Sequence, residues 1–223
     1  MRKPILPLFV AMAFLASCSA SQTDLSASLT PTASDIATAQ MASPQSVAAT
    51  STVLAYSGPK LPGRWGIYVD ARNAPSSYRA ASGTCTERSY DIAADTVIRN
   101  AIVKTSTAAF DGITPFASAP GGASLTRADL TGALLVRVTR ANGSLAWDET
   151  QAPVKSSASA ELAAEVTVLN ASGRPLGTYT ERASALSDDG PGGCDGAEAL
   201  VAQAYERASR MLLERVLPDI ATN

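Results

Sequence analysis

The fold is decided by the stretch Ser157–Leu186, which reads SASAELAAEVTVLNASGRPLGTYTERASAL. Its first half alternates strictly between an apolar face and a mixed face, the two sets being Leu162, Ala164, Val166, Val168 and Glu161, Ala163, Glu165, Thr167. A period of two residues is typical of a strand with one buried face. The residues NASGRP then supply a turn, and Leu176–Leu186 leads the chain back. The stretch therefore predicts two neighbouring antiparallel strands that cover a core.

Further strands are predicted upstream of this pair. Leu134, Val136 and Val138 alternate with Leu135, Arg137 and Thr139, which indicates another half-buried strand. The dipeptide Asn142-Gly143 follows and is a strong signal for a two-residue hairpin turn, so Leu145–Thr150 is predicted as the returning strand. Gly63–Asp70, GRWGIYVD, is predicted as the first strand of the domain.

Two segments carry a helical pattern. Ser89–Phe110 places apolar residues at three- and four-residue steps, with Ser89 or Asp91 available to cap its start. Asp111-Gly112 is predicted to end this helix, and Asp111–Thr131 is predicted to be a long loop. Gly196–Leu217 is amphipathic, and Pro218 is predicted to stop it.

This order of elements predicts an α+β domain at residues 59–223. We expect a largely antiparallel sheet of about four to five strands with two helices packed on one face, preceded by a disordered tether. The layout is similar to small periplasmic domains of bacterial outer-membrane accessory lipoproteins, such as those of envelope transporters and curli-type secretion. The similarity rests on the element order and on the strand-turn pattern of Val166, Val168 and Gly173, and it implies no site residue.

The composition excludes several classes of function. The 223 residues carry a formal net charge of −2 and contain no histidine. The charge balance gives no basic face for nucleic acid, so no nucleic-acid partner is expected. Without histidine the chain cannot build a Ser-His-Asp triad, a Cys-His pair or a histidine-ligated metal site. No catalytic residue, cofactor or metal is predicted.

The first 17 residues have the organisation of an export signal. Arg2 and Lys3 precede an apolar run over residues 4–16 that is too short to span a bilayer. The run ends in Leu15-Ala16-Ser17-Cys18, which resembles the lipobox of bacterial lipoproteins at all four positions. This resemblance implies that Cys18 is lipidated and becomes the first residue of the mature chain. Acylation at this position provides a membrane anchor.

The residue after Cys18 bears on the destination of the lipoprotein. Ser19 stands there instead of Asp, and the resemblance then implies release to the periplasmic face of the outer membrane. The other interpretation of the N-terminus is an ordinary signal peptide that is cut after Ala20 or nearby, so that Cys18 is discarded.

Residues 18–58 are predicted to be a flexible tether behind the lipidated cysteine. Ser, Thr and Ala dominate from Ser19 onward, and the charged residues are Asp24 and Asp35. About 40 such residues have a root-mean-square span of roughly 35 Å, which holds a domain off the membrane surface. Alternatively, Ser46–Tyr56 packs on the domain as an added strand or helix.

The three cysteines are Cys18, Cys85 and Cys194. If Cys18 carries the lipid, two cysteines remain in an oxidising compartment, which favours a Cys85–Cys194 disulfide. Each of the two precedes a predicted helix, and parallel helices on one face of a sheet bring these ends together. A reactive thiol and a free buried thiol remain as alternatives, although the chain has no CxxC pair.

The acidic loop DDGPGGCDGAE, residues 188–198, is the other candidate site. Asp195 precedes the last predicted helix and Glu198 stands three residues further on, a spacing that predicts a capping box and favourable interactions with the helix dipole. A calcium site or an anion cradle are the alternatives, but the spacing fits no known calcium loop and no P-loop lysine follows. The roles of Asp188 and Asp189 stay unassigned.

Aromatic and polar side chains near the first strand provide weaker candidates. Trp65, Tyr68 and Trp147 are predicted either to line a ligand groove or to lie in the core. The three residues Asp70, Arg72 and Asn73 follow the first strand, where they form either a polar patch or a solvated turn.

These patterns predict a non-enzymatic envelope lipoprotein. Its partners are expected to be the membrane, through the anchor at Cys18, and an envelope protein that the domain binds or helps to assemble. The alternative is a module that binds a small molecule or a lipid between the open side of the sheet and its loops. A carboxylate hydrolase is a third hypothesis, but it needs a facing Asp/Glu pair that the sequence does not offer.

Overall fold

The structure, a computed structural model, describes Tyr56 and the ranges 58–150, 153–190 and 193–221, with the backbone alone at residues 189 and 190. The described residues form seven strands and three helices. In chain order they are β1 (Leu61–Asp70), β2 (Ser77–Arg79), β3 (Ser89–Asp91), α1 (Ala94–Ala109), β4 (Phe110–Pro115), α2 (Gly122–Arg127), β5 (Gly132–Asp148), β6 (Lys155–Asn170), β7 (Pro175–Gly190) and α3 (Ala197–Ala221).

The predicted α+β class is confirmed, with five of the strands in one sheet of order β4-β1-β5-β6-β7. The long strands β5, β6 and β7 form an antiparallel meander, whereas β1 pairs in parallel with both β4 and β5. The turn from β6 to β7 lies at NASGRP as predicted. There the Asn170 side chain accepts from the Ser172 and Arg174 backbone N–H groups at 3.0 and 2.9 Å, and Gly173 adopts φ +78°.

The helices α1 and α3 cover one face of the sheet. Since β1 and β4 are parallel, α1 must run back against them, and α3 runs back against β7 in the same way. The two helices are therefore parallel and begin at the same end of the sheet. The main core lies between them and the apolar side of the strands, and its largest fully buried members include Tyr205, Phe110, Ile67, Ile98, Leu162 and Leu212.

The opposite face of the sheet, called the open face below, is covered at one end by α2. There Leu125 packs on Leu130, Ala133 and Leu169 in a second, smaller core. Beyond this patch the open face carries mostly polar and small side chains, together with Tyr68, Leu135 and the exposed Leu186.

The predicted hairpin turn at Asn142-Gly143 is wrong, because β5 runs through it without interruption. The register shifts between Val138 and Arg140, so a β-bulge moves the buried positions from even to odd numbers. Packing requires a glycine at position 143, because a Cβ there would lie 2.6 Å from the Tyr78 ring. β5 instead continues to Asp148, and β6 begins at Lys155.

The predicted start of the first helix is also wrong. Ser89 and Asp91 belong to β3, which pairs antiparallel with β2 to form a separate ribbon. The helix begins only at Ala94, and the residue before it, Ala93, makes no side-chain cap hydrogen bond. The reason for the extended backbone is Tyr90, which is buried and stacks on Trp147 with ring centroids 6.0 Å apart.

Two further boundaries differ from expectation. The segment predicted as a loop from Asp111 to Thr131 contains β4 and α2. α3 continues past Pro218 to Ala221, and this extra turn buries Ile220. A proline inside a helix costs a backbone hydrogen bond, and here the loss falls in the last turn.

The predictions for the N-terminus fall outside the described residues. These are the signal peptide at residues 1–17, the lipidated Cys18 and nearly all of the tether at residues 18–58. Within the described ranges, no helix combines the length and the apolar character that crossing a membrane requires.

Candidate functional site

The first candidate site is the end of the domain at which both long helices begin. Cys85 lies in the loop between β2 and β3 and is buried, and Cys194 lies three residues before α3. Their sulfur atoms form the predicted disulfide, with Cα atoms 5.5 Å apart. The bond fixes the β2–β3 ribbon to the start of α3, so both cysteines have a structural role.

The acidic residues of this loop differ partly from the predicted capping box. Gly196, with φ +81°, directly precedes α3, and its carbonyl accepts from the Ala199 N–H at 3.1 Å. Gly196 thus occupies the cap position that was predicted for Asp195. The Asp195 carboxylate instead accepts from Arg88 at 2.5 Å, and Glu198 lies in the first turn of α3 as expected. The Arg88–Asp195 pair is a second link across the disulfide, though both side chains are exposed.

An aromatic pair supports the disulfide from inside. Trp147 donates its indole N–H to the Gly193 carbonyl at 3.3 Å while its ring stacks on Tyr90. Asp188 is exposed at the end of β7. No group of three or more Cys, Asp or Glu side chains within the described ranges is placed to hold a metal ion. Trp147, Tyr90 and the disulfide thus meet at this end of the domain through ordinary packing and hydrogen bonding.

A buried tyrosine pair lies behind this end. The hydroxyl oxygens of Tyr78 and Tyr205 are 2.6 Å apart and share a hydrogen bond inside the core. Burial raises the pKa of both phenols, so both stay protonated at neutral pH. The pair therefore joins β2 to α3 as a neutral contact.

The second candidate site is a cleft on the open face. It has a volume of about 170 Å³ and lies between the sheet and the loop that follows β4, with Ala119 at its rim. Tyr68 and Leu135 contribute its apolar wall, and Arg137 and Glu165 its polar wall. Arg137 lies directly opposite Glu165 on the neighbouring strand and opposite Asp70 on the other side, so three charges of alternating sign form a row across the sheet.

Asp70, at one end of this row, is held in a close ion pair. Arg72 donates to both of its oxygens, at 2.8 and 2.7 Å, and these bonds hold the pKa of Asp70 down at about 2. The predicted polar patch of Asp70, Arg72 and Asn73 is thus a local ion pair together with a 3.4 Å bond from Asn73 to the Val138 carbonyl. A carboxylate so firmly ionised is suited to binding a cation and unsuited to acid catalysis.

Two more surface depressions lie on the helix side. A groove of about 340 Å³ separates α1 from α3, with Ala101, Lys104, Ala202 and Glu206 in its walls. A depression of about 210 Å³ at the opposite end of the sheet is lined by Trp65, Leu176, Tyr179 and Ile220 among others.

The three aromatic residues that the sequence suggested as a ligand groove lie in different environments. Trp147 belongs to the core. Trp65 is half-buried and packs on Phe110, with 5.4 Å between the two ring centroids. Tyr68 faces the cleft. Sequence reasoning missed the Tyr78–Tyr205 pair, although the period of α3 places Tyr205 on the same buried face as Val201 and Ala208. It also missed the charged row, because opposing Arg137 to Glu165 requires the register of the strands.

Comparisons with known proteins give distant likenesses. No family model matches the sequence, and no curated protein matches it significantly. Among solved structures the chain is similar to a Xanthomonas campestris protein of the DUF330 family, with 12% identity over 74% of this chain and 87% of that one and a TM-score of 0.41.

Two other similar structures are lipoproteins by name. One is a minor lipoprotein from Acinetobacter baumannii, with 8% identity over 74% of this chain and 95% of that one and a TM-score of 0.36. The other is a Caulobacter crescentus protein provisionally named a lipoprotein, with 13% identity over 60% and 84% of the two chains and a TM-score of 0.36. These likenesses are distant in sequence and in backbone, and none assigns a function to this chain.

Proposed function

We propose that the chain is a lipid-anchored lipoprotein at the periplasmic face of the outer membrane, whose α+β domain binds another envelope protein and catalyses no reaction. The observation that carries this proposal is the use of the three cysteines. Cys85 and Cys194 pair with each other, and such a bond persists in an oxidising compartment. Cys18, at the last position of the lipobox, is then the cysteine left for an anchor.

The chemistry of the domain supports binding over catalysis. The chain has no histidine, and the cysteines of the domain are joined in the disulfide. Asp70 is held ionised by Arg72, and Asp195 is engaged with Arg88. General acid–base and nucleophilic catalysis need a group that is available to exchange a proton or to attack a substrate, and both of these carboxylates are engaged in ion pairs.

The surface favours a protein partner over a small ligand. The cleft on the open face encloses about 170 Å³, whereas pockets for drug-sized ligands run from roughly 300 to 1,000 Å³. The larger groove between α1 and α3, of about 340 Å³, is at the low end of that range. Shallow depressions of this kind fit single side chains of a protein partner.

The anchor is tested by fractionation of cells that make the full chain. We expect the wild-type protein in the outer-membrane fraction and in the detergent phase of a temperature-induced phase separation. Cys18→Ser should move to the aqueous phase, because it lacks the acyl chains. Ser19→Asp should stay lipidated but shift to the inner membrane. A wild-type chain in the aqueous phase would refute the anchor.

The partner is tested by cross-linking in intact cells followed by purification of the chain from membranes. The expected result is one protein that is enriched with the wild type and depleted with Cys18→Ser, since the anchor restricts where the domain can reach. Equal recovery of the same protein with both forms would contradict a role for anchoring. Turnover of a substrate by the purified chain would contradict the non-enzymatic assignment.

A further inference from the structure

The apolar depression of about 210 Å³ near the start of β7 has no role in the function proposed above. Trp65 and Tyr179 line it together with Ile220 from the last turn of α3. Both aromatic side chains are half-buried, so part of each ring faces the surroundings. Leu176 also contributes to the wall and is 58% exposed. The depression therefore presents an exposed leucine beside two partly exposed aromatic rings.

This depression lies at the end of the domain that the predicted tether enters. β1 and β5 are parallel and both start there, and Gly132 at the start of β5 pairs with Asn170 at the end of β6. The turn from β6 to β7 and the last turn of α3 lie at the same end. We call it the tether end, and it comprises residues 58–65, 108–112, 122–132, 168–177 and 217–221. Chain connectivity thus places the attachment of the anchor on the side of the depression.

The two ends of the domain differ in charge. The tether end has four basic and three acidic side chains, all of them exposed: Lys60, Arg64, Arg127 and Arg174, and Asp111, Asp129 and Asp219. The segments 71–95, 148–155 and 188–198, which join elements at the opposite end, carry nine acidic and four basic residues. A membrane surface with anionic lipids attracts basic groups and repels acidic ones. The charge distribution therefore favours the tether end as the side that faces a membrane.

The side chains around the depression are of the kind found at the membrane–water boundary. Tryptophan and tyrosine are enriched there, because each ring is apolar and carries one polar group. The Trp65 indole N–H already donates to the Pro62 carbonyl at 3.1 Å. The ring can therefore leave water without an unpaired donor. Leu176 adds an exposed apolar side chain at the same place.

We propose that the tether end rests on the surface of the phospholipid bilayer, with Leu176, Trp65 and Tyr179 at the boundary between headgroups and acyl chains. The proposal rests on the lipid anchor of the proposed function. Because the anchor already holds the domain near the membrane, a weak contact is enough to orient it. The acidic end then points away from the membrane, where an envelope partner can approach it.

The contact is tested by quenching of tryptophan fluorescence in the full-length lipidated chain reconstituted into vesicles. The vesicles contain phosphatidylcholine and phosphatidylglycerol with brominated acyl chains, since bromine quenches tryptophan at short range. The second tryptophan, Trp147, lies in the core near the end of β5, roughly 50 Å along the strand from the Gly132 partner of Trp65. The wild type should lose roughly a third of its emission relative to vesicles without bromine, and Trp65→Phe less than about a tenth.

Two exposed leucines on one strand provide a matched pair of variants. Leu176→Ser removes apolar surface from the contact, and its quenching should fall to less than about half that of the wild type. Leu186→Ser removes a leucine that is 68% exposed and lies roughly 33 Å further along β7, so its quenching should equal that of the wild type. Melting temperatures measured in parallel show that each variant is folded.

The charge argument has its own pair of variants. Arg64→Gln/Arg174→Gln removes two basic side chains from the tether end and should lower the quenching by about twofold in vesicles with phosphatidylglycerol. Arg79→Gln/Arg99→Gln removes two basic side chains from the opposite end and should keep the wild-type quenching. Equal losses in the two variants would contradict the proposed orientation.

The remaining outcomes separate the membrane contact from other occupants and from the anchor. Equal fractional quenching of the wild type and Trp65→Phe, or of the wild type and Leu176→Ser, would overturn the contact. Loss of a cross-linked partner or of self-association in Leu176→Ser, with unchanged quenching, would assign the depression to a protein instead. Flotation with the vesicles is scored separately: a chain that floats without quenching keeps its anchor and lacks the contact, whereas a chain that does not float contradicts the anchor itself.

Discussion

Gly143 is needed for packing in the core, although in the sequence it indicates a hairpin turn. A Cβ at this position would approach the Tyr78 ring to 2.6 Å and the Tyr205 hydroxyl to 3.1 Å. Gly143→Ala must therefore shift a buried tyrosine pair, and we expect a loss of about 1–3 kcal/mol in the free energy of unfolding. Urea denaturation measures it.

The matched control for this substitution is Gly121→Ala. A Cβ at Gly121 meets nothing within 4 Å, and the residue precedes α2 with an extended backbone. A change within about 0.5 kcal/mol is expected there. Equal losses at both glycines would mean that the tyrosine pair does not pack on β5 as described.

Asp70 gives the domain a defined pH response. Its pKa of about 2 in the folded protein lies below the ordinary value of about 3.9 in an unfolded chain. A lowered carboxyl pKa stabilises the fold above the unfolded value, and this stabilisation is lost as the pH falls from about 4 to about 2. Asp70→Asn should therefore reduce the pH dependence of the melting temperature in that window. An unchanged pH profile in the variant would contradict the Asp70–Arg72 pair.

At the scale of elements, β6 could be predicted because its side chains keep one period over most of its length, and β7 because a turn follows β6 and leads the chain back. β5 could not be predicted whole, since its bulge at Thr139 shifts the buried positions by one residue and breaks the alternation that marks a strand. Beyond the bulge, the pattern resembles a new element, and Asn142-Gly143 then resembles a turn. Local sequence does not distinguish a bulged strand from two strands.

The short elements depend on their partners rather than on their own residues. β4 reads FDGITP, whose Asp, Gly and Pro disfavour strands, and it is held by pairing with β1 in parallel. β3 is three residues long and was hidden inside a helical period, because Tyr90 fits both a helix face and an aromatic stack on Trp147. The strand conformation of β3 and β4 is therefore set by tertiary contacts and not by the local sequence.

Among the contacts between elements, the disulfide follows most directly from the sequence. Its prediction needs only the number of cysteines and the positions at which the helices start. It closes a loop with a separation of 109 residues, and constraining the unfolded chain predicts a stabilisation of up to about 4–5 kcal/mol. Cys85→Ala/Cys194→Ala should lower the free energy of unfolding by an amount approaching this figure.

The control for the disulfide is thiol counting on the unreduced, unfolded protein in the Cys18→Ser background. That variant contains Cys85 and Cys194 alone, so a bridged chain yields no free thiol. Two free thiols in each chain would show that the bond is absent.

At the scale of the whole molecule, the sequence carries predictions about the compartment but few about the contact surface. The predicted export signal, the lipobox-like motif and the cysteine pair are local or countable, so these predictions need no structure. The cleft, the charged row of Asp70, Arg137 and Glu165, and the apolar depression beside Leu176 each join side chains that are far apart in sequence. Their assembly depends on strand register and on the direction of α3.

The central claim is that the mature protein begins at a lipidated Cys18 and is held in the envelope by it. The most direct measurement is the mass of the N-terminal peptide of the chain purified from membranes. We expect a peptide that begins at Cys18 and carries a diacylglyceryl group and an amide-linked acyl chain. An unmodified peptide that begins after Ala20, or an uncleaved N-terminus at Met1, would contradict it.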